Sequence, residues 1–172
     1  MNRQRELAYL AMSMVGITEE FGKDNCGEWI EKFQKSVDGK ASGEAWCMAF
    51  CMFLLEEIDT LFGESKRMSI EGHELFKSEH CMTVWKKSAK EHRLEEPEIG
   101  SLVIWRHGKT DLGHCGIVVN VIDDMVETIE GNTSSSDGIE RNGDGVFYKI
   151  RKTWKTTGKM QTVGYLKPWM KR

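Results

Sequence analysis

The sequence predicts an α+β domain in which helices come first and an antiparallel sheet follows. Up to Pro97, apolar residues recur mostly at helical spacing. Beyond it, the apolar segments are short, β-branched and punctuated by glycine. The 172 residues suffice for one core, and no repeat or low-complexity linker divides them, so 1–172 reads as a single domain.

The elements follow in order. Helices are expected over 3–15, 26–37, 46–58 and 74–91. The first shows Leu7, Leu10, Ala11 and Met14 on one face and stops at Gly16. The second has Trp29, Ile30, Phe33 and Val37 as its stripe, with Asp24 or Asn25 as cap. The third is apolar almost all round, from Met48 to Leu55, which marks a central, buried helix. Strands are expected over 101–105, 114–122, 125–130, 146–151 and 163–166, the second and third joined by an Asp123-Asp124 turn. The stretch 133–145, rich in Ser, Gly, Asn and Asp, reads as a mobile loop.

Composition excludes several classes. The net charge of -3 gives no broad basic field for nucleic acid. The basic residues between Lys149 and Lys159 are interrupted by Trp154 and threonines and read as a solvated strand edge or loop. No apolar run approaches the ~20 residues that span a bilayer, and no signal-type segment follows Met1. The chain is therefore expected to be made in the cytoplasm and to reach any external target by another route. Five cysteines without a CxxC pair argue against a disulfide framework or a zinc knuckle. Five histidines without HExxH argue against a metal hydrolase, so neither metal nor cofactor is expected.

Three segments carry chemistry. In Ala45-Trp46-Cys47-Met48-Ala49-Phe50, Cys47 falls in the first turn of the buried helix. Unpaired N–H groups and the positive end of the helix dipole favour thiolate there, and can also hold an oxyanion. Cys51, one turn later, reads as core packing. Trp46 either walls a substrate cleft or packs beneath the sheet. In Gly113-His114-Cys115-Gly116-Ile117-Val118, His114 enters a strand between glycines that permit close approach; Cys115 reads as a small core residue. In Glu130-Gly131-Asn132-Thr133, a carboxylate and an amide two residues apart share a face.

Parity then imposes a condition. A regular two-residue turn at Asp123-Asp124 would pair His114 with Thr133 and face Glu130 away. For the imidazole and carboxylate to meet, the hairpin needs an odd turn or a β-bulge that sets His114 opposite Asn132 and diagonal to Glu130.

These segments resemble the CHAP domain, the cysteine- and histidine-dependent amidohydrolase/peptidase group within the papain-like peptidoglycan hydrolases. Gly16-Ile17-Thr18-Glu19 and Asn25-Cys26-Gly27 resemble the N-terminal helices of phage-type members, and 163–168 is similar to the family's last strand. The resemblance implies a papain-like fold and cleavage of amide bonds in the peptide part of peptidoglycan, as an endopeptidase or an N-acetylmuramoyl-L-alanine amidase. It implies Cys47 as nucleophile, His114 as base and then acid, Glu130 as orienter of the imidazole, and Asn132 as support to the histidine or the substrate carbonyl. The chain departs from the family at Gly100-Ser101, where Gly-Asp is common, and at Cys115, where Val is common. The calcium loop of some phage members has no counterpart in residues 38–44, which lack repeated acidic ligands.

The expected partner is the peptidoglycan peptide, with an immunity protein or holin-dependent release as the associated route. Two other readings remain open: an amidase acting on a different conjugate, and a silent module that keeps the fold.

Overall fold

The computed structural model describes residues 2–63, 74–135 and 143–170. Four helices, α1 (Arg3–Ser13), α2 (Glu28–Asp38), α3 (Cys47–Leu61) and α4 (Cys81–Lys87), precede the sheet. Its strands are β1 (Arg93–Leu94), β2 (Leu102–His107), β3 (Gly113–Ile122), β4 (Met125–Thr133), β5 (Gly145–Lys152) and β6 (Met160–Leu166). They form one antiparallel sheet in the order β1-β6-β2-β3-β4-β5. The α+β architecture is the expected one. No helix among the described residues is long and apolar enough to cross a membrane.

Two helix details differ from expectation. Gly27 is the N-cap of α2, which therefore has no side-chain cap. Asn25 instead holds a left-handed conformation, and its N–H donates to Glu19 Oε2 at 2.9 Å. The fourth helix covers only Cys81–Lys87. Upstream, the Phe76 N–H donates to Ser88 Oγ at 2.9 Å, so that stretch folds back on the helix end instead of extending it.

α3 is the hub. From Cys47 to Met52 every residue is buried, and Leu54, Leu55 and Ile58 continue the burial. Ile30 and Phe33 of α2 pack on it, as do Leu102, Ile104, Ile117 and Ile129 of the sheet, in one apolar cluster. A second, smaller cluster includes Val103, Trp105, Val118, Val126 and Tyr165, which alternate with the first set along the strands. The sheet is therefore buried on both faces.

The β3–β4 hairpin turns in two residues: Ile122 pairs with Met125, and Asn120 with Glu127. The register then slips, so that Val118 pairs with Thr128 and Ile117 with Ile129. Val119 is the extra residue of a β-bulge. That is the irregularity the parity argument required, and continuing its register sets His114 opposite Asn132.

The N-terminal segment joins the sheet at the start of β5. The Gly16 N–H donates to the Val146 carbonyl, and the Val146 N–H to that of Ile17. The loop expected to be mobile falls largely on 136–142, outside the described residues.

Candidate active site

Cys47 is the first residue of α3, and no side chain caps that helix. The Phe50 N–H is the first to close a turn, onto the Trp46 carbonyl. The N–H groups of Cys47, Met48 and Ala49 thus lie at the positive end of a 15-residue helix without helical acceptors. Two thiols crowd the sulfur. Cys81 Sγ is 3.7 Å from Cys47 Sγ, and Cys115 Sγ lies within 4.8 Å. The Cys115 and Cys81 thiols, then the nearby His114 ring, outweigh burial and hold Cys47 well below the ordinary thiol range. Burial, then the Cys47 charge, pushes Cys115 up, so it remains a protonated donor.

His114 is fully buried, its ring stacked on Trp105 at 5.7 Å and 17°. Its Nε2 meets Glu130 Oε2 at 2.9 Å. Its buried Nδ1 has no hydrogen-bond partner among the described residues. Burial alone would lower the imidazole pKa. The neighbouring Cys47 and Glu130 more than reverse this and raise it to about 10. Cys47 and His114 therefore favour each other's charged form: thiolate beside imidazolium.

Glu130 is held on every side. Arg151 Nε donates to its Oε1 at 2.8 Å, and Arg151 Nη2 to its Oε2 at 2.9 Å, a bidentate pair. Thr128 Oγ1 donates to Oε1 at 2.7 Å. Burial would raise this carboxyl, but Arg151 and His114 bring it down to about 2. A glycine makes the room: a Cβ on Gly116 would meet Glu130 Cγ at 2.7 Å. Gly113 likewise faces the Trp105 carbonyl oxygen and Cys81 Cβ, at 2.7 and 3.0 Å from where its Cβ would stand.

Cys47, His114 and Glu130 thus come together through side-chain interactions. Asn132 stands slightly apart. It has a left-handed backbone conformation, its Oδ1 accepts from the Gly143 N–H at 3.1 Å, and its buried Nδ2 has no partner among the described residues.

Of the two readings of Trp46, the structure favours packing over a cleft wall. Its ring is fully buried beside Phe33, and Nε1 donates to Glu19 Oε1 at 2.7 Å. An indole N–H needs an acceptor when buried, and Glu19 ties it to the N-terminal segment. The cleft beside Cys47, of about 270 Å³, is lined instead by residues including Glu44, Glu79, Cys81 and Leu112. Gln34 of α2 supports its edge by donating to the Glu44 carbonyl at 2.7 Å.

Sequence reading missed two members. Arg151 lay in the basic stretch read as solvated. β5 is an edge strand, yet Lys149 and Arg151 are buried while Tyr148 and Ile150 are exposed. The pairings of Thr128 with Lys149 and Val126 with Arg151 place this basic pair on the Glu130 face. Once Glu130 is assigned inward, its need for a counter-charge is the signal that finds Arg151. Cys81 carried no signal, because only the fold brings α4 to α3.

A buried thiol, an imidazole and a fixed carboxylate are the kinds of group that cysteine- and histidine-dependent hydrolases use. The CHAP domain family model matches residues 38–132, more than half of the chain, and this protein belongs to that family. The match includes Cys47, His114, Glu130 and Asn132. CHAP domains are cysteine- and histidine-dependent amidohydrolases or peptidases, generally acting on peptidoglycan. No curated protein matches the chain, and no solved structure does.

Proposed function

We propose that this CHAP domain hydrolyses amide bonds in the peptide part of bacterial peptidoglycan, with Cys47 as nucleophile. The observation that carries the reading is the mutual charge stabilisation of Cys47 and His114, backed by Glu130. Cys47 Sγ attacks the amide carbonyl carbon, and the N–H groups at the start of α3 hold the oxyanion. Asn132 Nδ2, a buried donor without a partner among the described residues, is the side-chain candidate to assist. His114 then protonates the leaving amine as the C–N bond breaks.

The high pKa of the resting imidazolium does not obstruct that step. Cys47 is among the groups that raise it, and thioester formation removes the thiolate charge. The proton becomes easier to give at the moment it is needed. His114 next takes a proton from water, which attacks the thioester, and the acid product leaves with Cys47 restored. Throughout, Glu130 fixes the ring by accepting at Nε2, and Arg151 fixes Glu130.

Glu44 and Glu79 line the cleft. Partial desolvation and its neighbour Glu44 push Glu79 upward. This acidic edge suits a peptide segment bearing an amino group. Reaching the wall by lysis or by delivery from a neighbouring cell belongs to the same proposal. The test is turbidity loss of purified peptidoglycan with wild type and Cys47→Ala. Clearing by wild type alone is expected, and equal clearing by both would refute the nucleophile assignment.

A further inference from the structure

Three cysteines that the sequence keeps far apart meet beside the cleft. Cys47 opens α3, Cys81 opens α4 and Cys115 lies in β3, and their Sγ atoms are all within 4.8 Å of one another. Cys47 and Cys81 stand 3.7 Å apart. Two thiolates on one tetrahedral zinc ion, each bonded at about 2.3 Å, stand about 3.8 Å apart. The pair already has the spacing of a metal-site edge, whereas a disulfide would require it to close to about 2.05 Å.

Cys47 and Cys81 also line the cleft, which gives an ion a route in. The expectation of no metal rested on spacing along the chain, and spacing cannot register ligands gathered from three elements.

We propose that Cys47, Cys81 and Cys115 form a three-thiolate site for a thiophilic divalent cation of the zinc type, with the fourth position open to the cleft. Three sulfur–metal bonds form, the thiol protons pass to solvent, and nothing is oxidised or reduced. Thiolate ligands select soft and borderline cations over calcium and magnesium. The bound ion occupies the electron pair with which Cys47 would attack, so metal holds the hydrolase off until a chelator removes it. The blockade rests on the proposed nucleophile; the site itself does not.

The test is titration of the reduced full chain with Co²⁺ under anaerobic conditions. One equivalent is expected to bring thiolate-to-cobalt charge-transfer absorption and tetrahedral visible bands, both bleached by one equivalent of Zn²⁺. Cys81→Ala and the volume-conserving Cys115→Val should each weaken zinc by more than the ~10–100-fold that loss of an outer-shell partner costs. Cys26→Ala should not, with thermal melts checking that each variant is folded. A wild-type spectrum without thiolate charge transfer overturns the site, and so does folded Cys81→Ala with wild-type zinc affinity. If the protein hydrolyses nothing, the cobalt spectrum still decides the site. Wall hydrolysis unaffected by saturating zinc overturns the blockade.

Discussion

The two faces of the sheet are both buried, but they are built from different chemistry. The helix-facing side is apolar: Leu102, Ile104, Ile117 and Ile129 close against α3. The other face sets Thr128, Glu130, Lys149 and Arg151 on β4 and β5 beside Trp105, Tyr165 and the imidazole of His114. The first face holds α3 in place and so positions Cys47. The second holds the His114–Glu130–Arg151 network, the relay proposed for proton transfer, in an arrangement that is costly to break. Burial by itself does not distinguish scaffold from chemistry here, whereas the presence of buried charge with fixed partners does.

The largest expected effect is on the relay. His114→Ala should lower hydrolysis by about 10²–10⁴-fold, measured as release of new amine termini. Cys47 should also lose its reactivity with iodoacetamide below the ordinary thiol pKa of about 8.5. In wild type the ion pair spans the window between the lowered pKa of Cys47 and about 10 for His114. Activity should fall below that window as the thiolate protonates and above it as the imidazolium proton leaves. The stability signs differ between partners. The raised His114 contributes stability that is full below about 6.5 and lost as pH rises through about 10. The lowered Glu130 contributes stability that is full above 4.5 and lost as pH falls through about 2. Urea unfolding across pH reads both.

Arg151→Met comes next. It leaves Glu130 buried without its bidentate partner and should cost about 3–5 kcal/mol. Denaturant unfolding reads that loss, and the alkylation profile of Cys47 should move with it. On the apolar face, Ile129→Ala should cost about 3 kcal/mol by opening a cavity, yet leave the alkylation profile unshifted. If both variants move the profile equally, the contrast between the faces fails. Smallest is Trp46→Phe, which removes one buried hydrogen bond to Glu19 and should cost about 1 kcal/mol. Wall-degrading activity that survives Trp46→Phe supports its structural role.

The apolar face was legible in the sequence because hydrophobic periodicity encodes it directly. That the hairpin carries an irregularity was legible too, as an odd turn or a β-bulge; which of the two, and its place at Val119, were not. Arg151 was not, because an arginine in an alternating edge strand looks solvated until its pairing with Val126 is known. The Cys47–Cys81 contact was invisible for a different reason: it depends on where a seven-residue helix packs, which no local pattern specifies. Trp46 shows that proximity in sequence to Cys47 does not fix direction, since its ring turns inward toward Phe33.

The most direct measurement is the mass of fragments released from peptidoglycan of defined stem-peptide composition, by wild type and by Cys47→Ala. Wild type should release fragments whose summed mass exceeds that of the intact material by one water per cut, with one new amine and one new carboxylate per cut. Cys47→Ala should release none. The same fragments from Cys47→Ala, or fragments cut within the glycan strand, would contradict a cysteine-dependent amide hydrolase.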